Sequence, residues 1–419
     1  MSSQNRARRA AKQRQRDARR AQQQPRERPG MFEGVQDLAL DLAAAARATL
    51  AGDATAAEEA AFAAVAAEAP RRVQQVMVDL LTDCLAHTWR GGWQPVDLHE
   101  ITSRQLSREH AAVLAGVTAN AMAPFAKDTV HPAWSAQVNG TPTDNPLAST
   151  GRLDVAWSVT LAVQLLALLM GLPTIELLLP LPGTFRPGTQ GGATVDEKVL
   201  AKVRALLAKA ESTEYDEEAE ALSAKAQELM TRYNLDQLLV DAGTAPPVAG
   251  GRRIWLETPY ASAKALLAAS VGSANHCSVV WTEGLGYVTV IGDERDLVAT
   301  EVVLTSLLVQ AGRAMVHGSA RLGVQKRSYR QSFLVAYAQR VGERLQEASE
   351  HVAVEVGSAA LVPLRKAQDE RVDRAREAMF PRTTSCSVSV SNYQGYVEGR
   401  AAADQAALHG SAQLPTTGT

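Results

Sequence analysis

Residues 195–243 read VDEKVLAKVRALLAKAESTEYDEEAEALSAKAQELMTRYNLDQLLVDAG, and their periodicity decides how the chain is read. Val199, Val203, Leu206, Leu207 and Ala210 recur at helical spacing,. Thr194 with Glu197 matches a capping box ahead of that stripe,. A break follows at Glu211–Tyr215. A second stripe then runs through Ala219, Leu222, Ala226, Leu229, Met230 and Tyr233. Asn234 suits a left-handed C-cap, and Asp236 the cap of a short third helix. Two amphipathic helices with a short break predict an antiparallel helical hairpin. Its core is too small to be very stable alone, so it is expected to dock on the C-terminal domain.

Working outward, Gly/Thr/Pro-rich linkers flank the hairpin at residues 183–194 and 244–252,. Residues 31–182 read as a helical domain. Within it, Val73, Val76, Met77, Leu80, Leu81, Cys84 and Leu85 mark a helix over Arg71–Trp89, and Asp53 or Thr55 is the expected cap of the run before it,. One helix is expected over Leu98–Met122 and another over Val155–Gly171. The latter is apolar for about 17 residues but contains Ser158, Thr160 and Gln164, so it reads as a buried core helix and not a membrane span,. Residues 253–408 read as an α+β domain. A strand is expected at Arg253–Glu257 and a helix at Tyr260–Val271. His276–Glu283 and Gly286–Ile291 form a hairpin, and long helices follow from Asp296 and Tyr329, with further helix near Pro363–Met379 and Gln394–Leu408,. The predicted fold is mostly α: an N-terminal helical bundle, the central hairpin, and a small α+β C-terminal domain in which a β-hairpin packs with long helices. Residues 1–30 form a disordered basic arm and 409–419 a tail.

The chain has 419 residues, 46% hydrophobic and 21% charged, values of a soluble multidomain protein that exclude a disordered chain, a collagen and a disulfide scaffold,. The net charge of −2 is uneven. Residues 1–30 carry ten Arg/Lys against Asp17 and Glu27, a net +8, which leaves the rest at −10. Cys84, Cys277 and Cys386 are few, odd in number and far apart, which suits a reducing cytoplasm,. The first thirty residues hold no Leu, Ile, Val or Phe, so no secretory signal is expected there,. Leu414–Gly418 (LPTTG) matches the wall-sorting pentapeptide in letters only and is read as chance.

Segment 195–243 resembles the bacterial and phage family called domain of unknown function 2786. The family pattern is carried by Lys202, Arg204, Leu206, Leu207 and Ala210, then Glu218, Ala219 and Leu222, then Ala226, Leu229, Met230 and Tyr233. Leu222 replaces a small residue of that pattern and keeps the position apolar. Looser likeness to the longer members extends over most of residues 90–408. It rests on Cys277–Trp281, Ser332-Phe333-Leu334, and Gly395-Tyr396 through Gly399-Arg400-Ala401-Ala402. The resemblance implies a fold and a companion domain. It implies no reaction.

The candidates for chemistry are few. Glu211, Glu214, Asp216, Glu217, Glu218 and Glu220 suggest a cation site, but at a helix start they suit the dipole and read as a solvated first turn,. Lys198, Lys202 and Lys209 share one helix side and suit phosphate, yet residues 195–241 hold six Lys/Arg against eleven Asp/Glu, a poor nucleic-acid footprint,. Cys84 and His87 stand three apart on a helix without a second ligand pair,. His276-Cys277 opens a strand, where neighbours point to opposite faces. Gly284-Leu285-Gly286 reads as a hairpin turn, and Arg400 as a helix-surface residue. No metal or cofactor is expected, and no phosphate-binding or hydrolase motif appears.

What remains is the arm. Arg6, Arg8, Arg9, Lys12, Arg14, Arg16, Arg19 and Arg20, with Arg26 and Arg28, suit phosphate contact without base reading,. The expected function is a cytoplasmic accessory or scaffold protein, nucleic-acid-associated through residues 1–30 and without a membrane. The reading leans against an enzyme. Two alternatives stay open: a hydrolase-like enzyme with its site between the hairpin and the C-terminal domain, and a protein-interaction module.

Overall fold

A computed structural model of the chain describes residues 33–138, 147, 152–186, 197–212, 225, 229, 232–233, 248–321, 327–356 and 361–406. They are mostly helical, with a small three-stranded antiparallel sheet in the C-terminal half. The chain divides into two compact units. One comprises residues 1–124 with 135–175, and the other 125–134 with 176–419.

The first unit holds α1 (Glu33–Leu50), α2 (Ala56–Ala67), α3 (Pro70–Arg90), α4 (Pro95–Gln105) and α5 (Arg108–Met122). A short helix, α6 (Pro132–Val138), spans the division, and α7 (Arg152–Gly171) returns to the first unit. Helix α7 packs against α1, α2, α3 and α5. A helix surrounded by others must be apolar over most of its circumference. Accordingly Val155, Val159, Ala162, Val163 and Leu165 are fully buried, although Trp157 stays exposed. The stripe expected on α3 also holds: Val73, Val76, Met77, Leu81 and Leu85 are buried, while Leu80 and Cys84 lie at its margin. Asp53 supplies the cap of α2, its Oδ1 accepting the N–H groups of Thr55 and Ala56 at 3.1 and 3.2 Å.

One element differs from expectation. The helix predicted over Leu98–Met122 is two helices, broken where Leu106 and Ser107 leave helical geometry. What stops the helix is local polar chemistry, with Ser107 at the N-cap of α5 and His110 closing a capping box,.

In the second unit, α8 (Glu197–Ser212) comes first, then β1 (Gly250–Trp255), α9 (Ala261–Ala274), β2 (Ser278–Thr282) and β3 (Tyr287–Gly292). Four helices follow: α10 (Glu294–Arg321), α11 (Arg327–Val356), α12 (Leu361–Met379) and α13 (Tyr393–Gln405). The strand order is β1-β3-β2, with Val290 opposite Arg252 on one side and Val279 on the other. The hairpin turn is the expected Gly-Leu-Gly, with Gly286 at φ +82° donating its N–H to Thr282 O at 2.9 Å,.

Strand β3 is buried along its length, and its alternate residues meet different partners,. Val288 and Val290 join the core made with α9, α11 and α13. Ile291, on the opposite face, packs with Val372 of α12 and with Phe380. Helix α8 docks on α10 through Val203 against Ala299, as expected of a hairpin too small to stand alone. The second helix expected in the hairpin lies outside the described residues, apart from isolated positions.

Among the described residues two helices, Asp154–Gly171 and Glu294–Ala320, are long and apolar enough to cross a membrane by length and composition. Of their apolar windows, 61% and 44% respectively are buried within the fold.

Candidate functional site

A buried polar cluster in the second unit sits where β3 passes into α10. The local sequence is Gly292-Asp293-Glu294-Arg295-Asp296. Asp293 ends the strand and opens the helix, its carbonyl accepting the Leu297 N–H at 2.9 Å. Three residues along a first turn return to the same face, so Asp296 joins Asp293. Both are buried, at 7% and 4% exposure.

Helix α12 covers them. Its Arg365, Gln368, Asp369 and Val372 recur at spacings of three, one and three, a single helical face,. The Gln368 amide donates to Asp293 Oδ2 at 3.2 Å and also to Asp296 Oδ2. Arg371 Nη2 donates to Asp293 Oδ2 at 2.6 Å, and Arg365 Nη1 to Gln368 Oε1 at 3.0 Å. At the rim, His276 Nδ1 lies 3.0 Å from Asp369 Oδ1. His276 holds a left-handed conformation, φ +56°, because the chain reverses there between α9 and β2. It belongs to that turn and not to the strand.

The electrostatics follow from burial. Removal from water pushes the Asp296 carboxyl up to about 6, while Arg365 and His276 draw it back and Asp293 adds to the rise,. Burial also raises the Cys277 thiol, which disfavours its thiolate form,. Its sulfur accepts from Thr300 Oγ1 at 3.5 Å. Asp293 Oδ1 and Arg371 Nε are buried without a hydrogen-bond partner among the described residues. The arrangement can hold or release one proton near neutral pH. Among the described residues no three His, Cys, Asp or Glu gather as a set able to hold a metal ion.

The residues singled out from sequence are dispersed. The cations Arg6 to Arg28 lie outside the described residues, as do the side chains of the acidic cluster Glu211–Glu220. Lys198, Lys202 and Lys209 are exposed on α8, flanking the buried Val203. His87 is exposed, and burial raises the half-covered Cys84 thiol. Arg400 does lie on a helix surface, but it has a partner: its two Nη atoms donate to the two Glu343 oxygens at 3.0 and 2.8 Å. Arg400 and Arg340 together hold the Glu343 carboxyl down at about 2.

The two late motifs of the family resemblance meet each other. The buried Ser332 hydroxyl accepts the N–H groups of Ser391 and Asn392 at 3.1 and 3.0 Å. Asn392 then caps α13, its Oδ1 accepting the Gly395 N–H at 2.8 Å. Gly395 and Gly399 abut the carbonyl oxygens of Tyr329 and Phe333 on α11. Ser332, Gly395 and Gly399 therefore lock α11 to α13. These are packing residues.

Residues 198–237 match the family model described as "Protein of unknown function (DUF2786)". The matched DUF2786 segment begins on α8 and coincides with the stretch whose periodicity decided the reading of the chain. Neither curated proteins nor solved structures give a match.

Sequence reading missed Asp293, Asp296, Gln368 and Arg371. The pair Asp293-x-x-Asp296 at a helix start was visible, but it has the form of an ordinary cap. Only α12, arriving from more than 70 residues away, makes it a buried cluster.

Proposed function

We propose that the protein is an accessory scaffold that associates with nucleic acid, without sequence preference, through the cations of residues 1–30. The charge asymmetry carries the reading: ten cations in thirty residues precede a body of net −10. Cations spaced by Gln and Ala, without aromatics, suit phosphate contact and not base stacking. The folded part is consistent with a scaffold, since the motif residues Ser332, Gly395, Gly399 and Arg400 are taken up by contacts within their own unit. Three scattered cysteines suit a reducing compartment, and we place the protein in the cytoplasm,.

The test is anisotropy of labelled duplex DNA with the full chain, and with a full-length variant carrying Gln at all ten cationic positions. If six cations meet phosphate, affinity is expected to fall about 10³-fold between about 50 and 200 mM salt. The variant is expected not to bind. Binding that survives the ten substitutions, or no binding by the unaltered chain, overturns the reading.

A further inference from the structure

We propose that residues 383–391 (TTSCSVSVS) are an unpaired β-strand through which two copies of this chain associate, antiparallel about a two-fold axis at Ser387. The inference rests on the second unit alone and is independent of the nucleic-acid reading.

Residues 381–391 join α12 to α13 in an extended course that belongs to no helix or sheet. Among the described residues, no N–H or C=O group of residues 381–390 has a hydrogen-bond partner. A row of open donors and acceptors is a template for a further strand. The composition suits one. Thr and Val favour the pleated conformation, and residues 383–391 hold no Pro and no charged side chain,. Proline and charge are the devices that ordinarily keep an exposed strand edge from pairing.

The segment is held at three points. Phe380, ahead of it, is buried with Ile291 and Val372. Val388 packs on the core made with α9 and α11. At the far end the Ser332 hydroxyl accepts the N–H groups of Ser391 and Asn392. Between these anchors residues 381–387 and 389–390 are exposed. A strand already held extended loses little conformational entropy when it pairs.

The sequence fits a second copy of itself. Alternation places Thr384, Cys386, Val388 and Val390 on one face and Ser385, Ser387 and Ser389 on the other,. With the axis at Ser387, Thr384 of one copy stands opposite Val390 of the other, and Cys386 opposite Val388. Serine then meets serine on the second face. An axis between two residues would instead set serine against valine. Arg382, the nearest charged residue, falls opposite Asn392 of the other copy, so no like charges meet along the pair.

The test is sedimentation velocity of the nuclease-treated full chain at rising concentration. The sedimentation coefficient is expected to rise between about 1 and 200 µM, the range of a small reversible interface. Adjacent N–H groups point to opposite edges, so one of the variants Ser387→Pro and Val388→Pro removes donors from the ladder. That variant loses one bond per copy and is expected to raise the dissociation constant at least about 10-fold. Mild oxidation in a Cys386→Ser background reads the register. Ser387→Cys brings two Cα atoms to about 4.5–5.5 Å across the axis and is expected to cross-link. Ser385→Cys and Ser389→Cys leave like positions about 13 Å apart along the strands, out of disulfide reach, and are expected not to. Circular dichroism establishes that each variant folds. A chain that stays monomeric over the whole range overturns the proposal and leaves the strand to a different protein. A dimer that both proline variants leave intact, or cross-linking at 385 or 389 equal to that at 387, overturns it as well.

Discussion

Gly399 of α13 stands against the carbonyl oxygen of Phe333 in α11, with no room for a β-carbon between them. Gly395, one turn earlier, stands in the same way against Tyr329 O. Spacing of four puts both glycines on one face, so the helices meet backbone to backbone. Because the obstructing atoms belong to a helix backbone, they cannot rotate aside. Gly399→Ala is expected to destabilise the second unit by about 2–3 kcal/mol, measured by denaturant unfolding. A change below about 0.5 kcal/mol would show that the helices separate easily.

Asp296 makes stability depend on pH in a stated direction. Its folded value, about 6, lies above its ordinary 3.8. The folded protein therefore holds this proton more tightly than the unfolded chain. The contribution is complete below about pH 4 and is lost as pH rises through 6. Asp296→Asn, which cannot ionise, is expected to gain on the unaltered protein over that interval, by up to about 3 kcal/mol at pH 8. Paired urea titrations at pH 4, 6 and 8 check this, and a difference that does not change with pH contradicts it.

Two arginines where α11 meets α13 contrast burial with exposure. Arg344 is buried, and its Nη1 donates to the carbonyls of Ala403 and Ala406, closing the end of α13. Arg344→Leu strands those acceptors and is expected to cost about 2–4 kcal/mol. Arg400 pairs with Glu343 in solvent, where screening is strong. Arg400→Ala is expected to cost less than about 1 kcal/mol, and less still at 1 M salt. Thermal unfolding of both variants at two salt concentrations separates the cases.

The cysteines are expected to react in order of exposure. Cys386 is exposed, Cys84 is half-buried and Cys277 is buried. Burial raises the thiols of Cys84 and Cys277, which keeps both protonated at neutral pH,. Maleimide at pH 7 is expected to label Cys386 first and Cys277 only after unfolding, as read by mass spectrometry. Early labelling of Cys277 would place the β2–α10 junction in solvent.

Helices and strands were legible wherever one local pattern accounts for them. The stripe through Val73 to Leu85 and the β-branched runs around Gly284–Gly286 name their elements without reference to anything distant, because period and turn chemistry are properties of neighbouring residues. The DUF2786 segment, residues 198–237, was legible for the same reason. Tertiary structure decided the rest. The partner that holds the His110 imidazole, Gln164, is 54 residues away. Asp293 and Asp296 have the form of a helix cap until α12 settles on the Ile291 face of the sheet and brings Gln368 and Arg371 over them. Late glycines and a serine that look like motif chemistry become a helix lock once α13 lies on α11. Short-range propensity specifies which elements form. Which polar groups end up together depends on which faces of those elements are buried against one another, and that is settled only when the core closes.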